Sequence, residues 1–594
     1  MQAKKNKIHV SNIKSRCVCC FISPQRRESP MQGQSGFFIQ FLRLAGPFWN
    51  SENKAVIRNR TLALIILTVL QMVLAVVITE WSFALFNALE QHSMSGLFKQ
   101  IGLLVLIFAA SMAVTFVHLK VKRDLQIGWR SWLTERVIGR WMDKGRHYQV
   151  THIRTVEHDN PDGRIAEDIR IATDEAISLC HMLFYSLLLL ISFTEILWTL
   201  SGTVILDLGV IKLPVHGHLV WIAILYSAAG SVLGWWAGRP LTLTTNAMQT
   251  AEANFRFGLV KARENSQAIA LIQGEANAKK RFQSLFQAIA GIYDRQTHAW
   301  ANILLFNSGY SVLSMAFPIL VAAPRYVLGS ITLGALMQSV QAFQQMSAAL
   351  SWPVNNMAAI AQWRASVERV LGLVNALEDL EQEIARPDPQ RIVIEKPDQS
   401  ILRFHDLCIS KLDGEVIVSG INAEIHLGEH VLIDGDASTG AKLFNAIAGL
   451  WPWGCGRIEL PDGDPMFFMP PRPYLPDGTL HAAICYPSPA ESFSLASIEE
   501  LLDLAGLGEL LGQLEQTDAW GKVLTREQQQ RLGLVRLLLY RPKWILLQEA
   551  FDSLAPDDEE SMLRLICQEL PDAAMLTITN QPTAEAFHPR QIVV

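Results

Sequence analysis

Long apolar runs are confined to the first 350 residues of this 594-residue chain. A helix that crosses a bilayer needs about 20 consecutive, mostly apolar residues. Five runs are long enough, and a sixth is weaker because it contains several glutamines. The six runs cover residues 61–78, 101–117, 181–206, 219–237, 301–323 and 331–350. They predict six membrane-spanning helices, because so many long apolar runs are hard to bury inside a soluble domain.

The distribution of basic residues predicts the orientation of these helices. Lys and Arg are concentrated before the first run and in the two long connections, residues 118–170 and 238–300. The alternate connections are short and offer only Lys99, Lys212 and Arg325. Because cytoplasmic loops carry the excess of positive charge, both termini are expected in the cytoplasm of a bacterial cell, with the helices in its inner membrane. The long connections are expected to continue the spans as helices.

The N-terminal segment has no long apolar core, so it does not resemble a signal peptide. Met1 and Met31 are both acceptable starts for the chain. Residues 37–49 are apolar and aromatic, and they predict a helix at the membrane interface that leads into the first span. Three of the eight cysteines crowd the tail, at Cys17, Cys19 and Cys20. No histidine accompanies them at zinc-site spacing, so no metal site is expected and the thiols are expected to be reduced.

Composition restricts the function classes. Charged residues make up 18% of the chain, below the roughly 25% of an ordinary soluble protein. The formal net charge is −5, which gives no basic surface for general nucleic-acid binding, and no nucleic-acid partner is expected. The 16 tryptophans instead fit anchoring at the interface of the lipid bilayer.

From about residue 381 the composition becomes that of a soluble α/β domain. The predicted organisation is a tail (1–36), a six-helix transmembrane domain (37–380) and a C-terminal α/β domain (381–594). A β-branched run at 430–433 leads into a glycine loop and then a helical pattern from residue 442. Strand, glycine loop and helix form a phosphate-binding arrangement, in which backbone N–H groups hold phosphate oxygens. The loop residues are Gly435, Ser438, Thr439, Gly440 and Lys442.

Several stretches resemble a known family. They are GPFW at 46–49, HDNPDGRIAEDI at 158–169, EANFRFGLVKARENSQAIALIQGE at 252–275, GLWPWGCGRI at 449–458, RPYLPDGTL at 472–480 and RLLLYRPKW at 536–544. The chain resembles the half-transporters of the ABC superfamily, in the SbmA/BacA-like branch, and more distantly the peroxisomal very-long-chain fatty-acyl transporters.

The resemblance implies a fold, cofactors and partners. It implies six spans fused to a P-loop nucleotide-binding domain that uses ATP and Mg²⁺. It also implies a homodimer, or a heterodimer with another half-transporter. Substrates of the resembling branch are peptides, peptide antibiotics and cobalamin-like molecules, and this sequence does not select among them.

The phosphate loop departs from the family pattern G-x-x-G-x-G-K-S/T. Ala441 occupies the position of the phosphate-binding lysine, and Lys442 occupies that of the magnesium-binding hydroxyl. A lysine one residue later on a helix points about 100° away. Pro471 replaces the glutamine that contacts the metal in the next motif.

The remaining motifs are also altered. The signature motif contains Thr525, Glu527 and Gln528, and Glu527 places a carboxylate where a phosphate docks. The catalytic Glu549 is retained, but the aspartate before it is Gln548. The later aspartate is Ala555, and the switch histidine is Asn580. These departures predict a folded domain that has lost ATP hydrolysis, while residual nucleotide binding through backbone N–H groups stays open.

Carboxylates elsewhere leave further alternatives. Glu195 lies inside the third span, where a carboxylate is costly and favours either proton coupling or substrate contact, or a pair with a neighbouring helix. Glu80 is expected at the interface. The acidic cluster at 159–168 favours a coupling turn or helix cap over a metal site. Three functions therefore compete: an ATP-driven transporter, alone or with an intact partner; a proton-driven transporter; and an inactive binding or regulatory half.

Overall fold

The computed structural model describes residues 6–8, 36–153, 160–207, 212–385, 391–411, 415–435, 437–464, 466–579 and 581–593. The expectations for Met1, Met31, the tail cysteines, residues 158–159 and Asn580 lie outside the described residues. The chain divides into two compact units. One contains Ser35–Gly139 and Asn160–Val374, and the other contains Met1–Gln34, Arg140–Asp159 and Asn375–Val594.

The part of the chain before residue 386 is mostly helical. Its elements are β1 (Asn6–Ile8), α1 (Phe37–Ala45), α2 (Lys54–Glu90), α3 (Met94–Met142), α4 (Arg146–Ile153), α5 (Pro161–Gly163), α6 (Ile169–Ser201), β2 (Thr203–Asp207), β3 (Lys212–His216), α7 (His218–Glu264), α8 (Ser266–Leu271), α9 (Glu275–Val327), α10 (Leu333–Leu350), α11 (Trp352–Asn355) and α12 (Met357–Ala385).

Five helices among the described residues are long and apolar enough to cross a membrane. They are Lys54–Glu90 (α2), Met94–Thr151 (α3 continuing into α4), Pro161–Ser201 (α5 continuing into α6), His218–Glu264 (α7) and Glu275–Val327 (α9). They correspond to the first five predicted runs, and their length shows that the apolar stretches continue as helices into the long connections. The polytopic helical membrane unit is therefore confirmed, and the sixth span stays a prediction.

The sixth run forms α10, an 18-residue helix packed inside the helical unit. Its Phe343 and Met346 are almost fully buried. Gln338 Nε2 donates to Glu80 Oε1 on α2 at 2.6 Å, and Gln341 Nε2 donates to Ser82 Oγ at 2.9 Å. Two of the four glutamines that weaken the apolar run, Gln338 and Gln341, therefore have polar partners on a neighbouring helix, so these two need not face lipid.

The third run is only partly helical. α6 ends at Ser201, and Gly202 follows with a φ of 61°. Thr203–Asp207 then form β2, which pairs antiparallel with β3. The prediction that the span continues to residue 206 is therefore wrong at its end, because a left-handed glycine and a β-branched run stop the helix.

The C-terminal unit alternates strands and helices. Its elements are β4 (Val393–Glu395), β5 (Ile401–Ser410), β6 (Val416–His426), β7 (His430–Asp434), α13 (Ala437–Ile447), β8 (Gly454–Glu459), β9 (Met466–Met469), β10 (Gly478–Thr479), α14 (Leu480–Cys485), α15 (Leu495–Leu504), β11 (Thr517–Asp518), α16 (Trp520–Val523), α17 (Arg526–Tyr540), β12 (Trp544–Gln548), α18 (Pro556–Glu569), β13 (Ala574–Ile578) and β14 (Arg590–Val593).

A six-stranded sheet organises this unit, in the order β1-β14-β7-β13-β12-β9. Every pair in it is parallel. Helices cover such sheets on both faces, which explains why its central strands are continuous apolar runs. A second sheet, in the order β4-β8-β5-β6, shares a core with it that includes Phe404, Ile433 and Leu576. The carboxyl ends of β7, β13 and β12 meet at one sheet edge, where ligands of open parallel sheets bind.

Candidate functional site

The predicted phosphate loop is short in the structure. β7 ends at Asp434 and α13 begins at Ala437, so only two residues connect the strand to the helix. Ser438, Thr439 and Gly440 therefore lie in the first turns of α13 rather than in an open loop. Lys442 is half-buried, and its side chain forms no hydrogen bond or ion pair with another described residue. The N–H groups of this first turn are backbone donors that the motif can offer to an anion.

Gly440 is retained for packing. A Cβ atom at this position would lie 2.9 Å from two side-chain carbons of Ile578, at the end of β13. Real Cβ atoms do not approach carbon atoms so closely, so the glycine allows α13 to rest on the sheet. This contact is independent of any nucleotide.

Glu549 follows β12 directly and has a φ of 43°. A left-handed conformation is unusual for glutamate and is often held in place by its surroundings. Here the Glu549 N–H donates to the carbonyl of Ile578 at 2.8 Å. Ile578 thus contacts both Gly440 and Glu549, and the structure brings the phosphate helix and the retained acid to one sheet edge.

The signature residues cap their own helix. The Thr525 hydroxyl accepts from the Gln528 N–H, and the Gln528 carboxamide accepts from the Thr525 N–H, which completes a capping box at the start of α17. Glu527 lies in the first turn, and its Oε1 accepts from Arg531 Nη2 at 2.9 Å. Capping satisfies donors that an anion would otherwise use, and the carboxylate adds negative charge at the positive end of the helix.

Gln530 was not singled out by the sequence analysis, yet it is fully buried at the centre of the site. Its Nε2 donates to Asp552 Oδ1 at 2.6 Å and to the Pro471 carbonyl at 3.2 Å. Its Oε1 accepts from the Ser553 N–H at 3.1 Å. The available signal was a glutamine in register with the buried Leu534 and Leu537 on one helical face.

Two titratable groups lie beside this sheet edge. Burial lowers the pKa of His588 to about 4, and its Nε2 lies 2.8 Å from Thr577 Oγ1. Burial raises the pKa of Glu559, whose carboxylate accepts a hydrogen bond from Thr583. His588 is therefore neutral near pH 7 and serves as a packed hydrogen-bonding group rather than a cation for phosphate.

α4 packs on the same unit. Gln149 is buried, and its Nε2 donates to the carbonyls of Gly449 and Leu450 at 3.4 and 3.3 Å. Asn445, near the end of α13, donates to the Tyr148 hydroxyl at 3.2 Å. Because α4 closely follows α3 in the chain, the phosphate helix has a direct contact with the connection between the second and third predicted spans.

In the helical unit, Glu195 has an exposed side chain on α6 and no hydrogen-bond or ion-pair partner among the described residues. Asp168 forms a bidentate pair with Arg369 of α12, at 2.7 and 2.5 Å. Among the described residues, no group of three His, Cys, Asp or Glu is placed to hold a metal ion.

A histidine pair was also missed. His118 of α3 and His181 of α6 have ring centroids 4.4 Å apart. Among the residues that the structure describes, neither ring has a hydrogen-bond partner for its Nε2 atom. The two residues are 63 positions apart, so no local pattern could have joined them.

The chain joins a helical membrane unit to a parallel α/β unit. This combination defines a class of membrane protein whose second half resembles a nucleotide-binding domain. Residues 49–327 match the family described as ABC transporter transmembrane region 2. The chain is 30% identical over 557 residues to the inner membrane ABC transporter ATP-binding protein YddA of Escherichia coli, covering 91% of this chain and 95% of that protein.

Two further relatives are eukaryotic. The chloroplastic ABC transporter D family member 2 of Arabidopsis thaliana is 27% identical, covering 96% of this chain and 88% of the relative. The lysosomal cobalamin transporter ABCD4 of Homo sapiens is 24% identical, covering 93% of both. The chain therefore belongs to the ABC transporters, among their half-transporters.

Proposed function

We propose that this chain is one half of a bacterial inner-membrane transporter for peptides, peptide antibiotics or cobalamin-like substrates, and that its nucleotide-binding domain no longer hydrolyses ATP. The family favours a dimer, with the substrate path between two membrane units and both termini in the cytoplasm. A human relative is named a cobalamin transporter, which supports a bulky polar substrate.

The observation that carries the proposal is Ala441, which lies near the start of α13 at the position of the family's phosphate-binding lysine. Only Gly435 and Asp436 separate β7 from the helix, and one of them is acidic. Ala441 removes the positive charge that the family's lysine supplies, because a methyl group cannot neutralise a phosphate oxygen.

The other motif positions support the same conclusion. Phosphoryl transfer depends on positioning and on charge neutralisation by lysine and Mg²⁺. Loss of one such electrostatic contact costs about 3–4 kcal/mol in the transition state. Here Ala441 and Gln548 remove two contacts, and the Glu527–Arg531 pair leaves a first-turn carboxylate at the signature helix. Glu549 alone has no positioned metal or nucleotide to act on.

The test is the ATPase activity of the purified full-length protein with Mg²⁺, compared with Glu549→Gln. We expect equal background rates. Magnesium-dependent activity that Glu549→Gln abolishes would contradict the proposal. The double change Ala441→Lys with Lys442→Ser restores the lysine and the hydroxyl, and we expect it to increase nucleotide binding without robust turnover.

A second candidate concerns the energy source. Without hydrolysis, transport needs another gradient, and Glu195 is an exposed carboxylate on a predicted membrane helix without a partner among the described residues. Such a group suits a proton-coupled step. Glu195→Gln keeps the shape and removes titration, so it should abolish pH-driven uptake. Glu80→Gln is the matched control, because Glu80 already has Gln338 as its partner. Undiminished uptake with the same pH dependence would exclude Glu195.

A third candidate is an inactive half that pairs with an intact half-transporter. This candidate predicts a stable complex with another half-transporter, and no uptake by the homodimer. Co-purification of the tagged protein from its native membrane, followed by ATPase assay of the complex, distinguishes it from the first two.

A further inference from the structure

Two cysteines face each other on neighbouring strands of the second sheet of the C-terminal unit. Cys408 on β5 and Cys455 on β8 are directly opposite in the antiparallel register, and both are thiols in the structure. Directly opposite residues of such strands have Cα atoms about 4.5 or 5.5 Å apart, depending on the hydrogen-bonding position. Both values lie within the range of about 4.4–6.8 Å that a disulfide spans. The two thiols are therefore placed to be joined without separating the strands.

The two side chains lie on the face of this sheet that points away from the core. Leu407 and Ile409 belong to the core shared with the six-stranded sheet, whereas Cys408 between them does not. Directly opposite residues of an antiparallel pair share a face, so the partner of Cys408 lies on the same side. The same two strands show that such side chains reach each other, because Arg403 Nη1 donates to the directly opposite Glu459 Oε2 at 3.0 Å.

The residues around Cys455 bring the two strands together. Gly454 and Gly456 flank it, and a Cβ atom on either glycine would overlap backbone carbonyl oxygens of β5, at Cys408 and at Asp406 respectively. Strand β8 therefore approaches β5 more closely here than residues with side chains would allow. The two cysteines also differ in access to solvent, because Cys455 is half-buried whereas Cys408 is only 1% exposed. A soluble oxidant can reach Cys455, and the strands shield Cys408 from it.

The C-terminal unit is proposed above to lie in the cytoplasm, where thiols are kept reduced under ordinary conditions. We propose that Cys408 and Cys455 form a reversible disulfide when this compartment becomes oxidising, with glutathione disulfide as the oxidant. The Cys455 thiolate attacks one sulfur of the oxidant, which forms a mixed disulfide and releases one glutathione thiolate. The Cys408 thiolate then attacks the Cys455 sulfur, which forms the protein disulfide and releases the second glutathione. The two cysteines lose two electrons and two protons, and glutathione disulfide gains both.

The disulfide closes a loop that contains the candidate phosphate site, since β6, β7 and α13 all lie between the two cysteines. Gly449 and Leu450, which accept hydrogen bonds from Gln149 of α4, lie in the same loop. A cross-link that closes a loop restricts the unfolded chain and thereby stabilises the folded one. The C-terminal unit of the oxidised protein should therefore unfold at a higher urea concentration than that of the reduced protein. Equal midpoints would show that the disulfide does not restrain this loop, and would overturn its stabilising role.

The test uses the full-length protein in detergent, equilibrated with mixtures of glutathione and glutathione disulfide. The remaining thiols are alkylated, the protein is digested without reductant, and mass spectrometry identifies the linked peptides. We expect the Cys408–Cys455 link to predominate over every other cysteine link, and to disappear when dithiothreitol is added. Links from either cysteine to other cysteines of the chain instead would overturn the proposal. So would a wild-type protein in which both cysteines stay alkylated in pure glutathione disulfide. These readouts do not depend on transport or ATPase activity, so they stand whatever the outcome for the proposed function.

Single variants separate the two steps. In Cys408→Ser, Cys455 should stop at the mixed disulfide with glutathione, and in Cys455→Ser, the buried Cys408 should remain a thiol. Cys567→Ser is the matched control, because Cys567 is also half-buried but lies on α18, where burial raises the pKa of its thiol. It should leave the Cys408–Cys455 link unchanged. If Cys408 in Cys455→Ser is modified by glutathione as readily as Cys455 is in Cys408→Ser, the assigned order of attack is wrong.

Discussion

Gln530→Ala is the most direct test of how the sheet edge is held together. Gln530 joins α17 to two other segments, the turn at Pro471 and the segment from Glu549 to Ser553. The alanine removes one hydrogen bond to the Asp552 carboxylate, at 2.6 Å, and three to backbone groups, at 3.1, 3.2 and 3.5 Å. A bond to a charged group contributes about 1.5–3 kcal/mol and a neutral bond about 1 kcal/mol.

The expected loss is about 3 kcal/mol rather than the full sum. Asp552 keeps its ion pair with Arg526 at 2.8 Å, and Glu549 keeps its backbone bond to Ile578. The segment should therefore open locally while the sheet stays folded. A change of about 3 kcal/mol in local opening corresponds to roughly 150-fold faster amide exchange.

The assay is hydrogen exchange of the full-length protein, read on peptides that cover residues 549–554. Gln529→Ala is the matched control, because Gln529 is the neighbouring glutamine but donates to the Gly521 and Leu524 carbonyls instead. It should accelerate exchange near 521–525 and leave 549–554 unchanged. If exchange at 549–554 in Gln530→Ala stays within a few-fold of the wild type, Gln530 does not hold this segment.

Two further predictions concern the same edge. Gly440→Ala should destabilise the soluble unit by about 1–3 kcal/mol through overpacking against Ile578. In a double-mutant cycle measured by denaturant unfolding, Ile578→Val should recover part of that loss. Purely additive effects of the two substitutions would contradict the contact. For His588, the folded pKa of about 4 lies below the usual 6.5, so the unfolded state binds the proton first and stability falls as the pH drops from about 6.5 toward 4. Between pH 7.5 and 5 this amounts to about 2 kcal/mol, and the stability difference between wild type and His588→Asn should shrink by that amount; a constant difference would show that His588 does not titrate as its burial requires.

The membrane class and the order of the elements could be read from the sequence because they depend on local patterns. Five of the six apolar runs form helices of membrane-spanning length, because an apolar run and a helix are both properties of consecutive residues. The substitutions at Ala441, Glu527 and Gln548 could likewise be found by position within a motif.

Only the tertiary structure decided what each substituted or polar residue contacts. Gln338 and Gln341 of α10 are acceptable in a buried helix because Glu80 and Ser82 face them from α2, more than 200 residues earlier. Gln530 contacts two other segments of the chain, and Ile578 joins α13 to Glu549 across parallel strands. Such contacts depend on which strands pair and which helices pack, and these pairings are settled by burial of the whole core rather than by any local pattern.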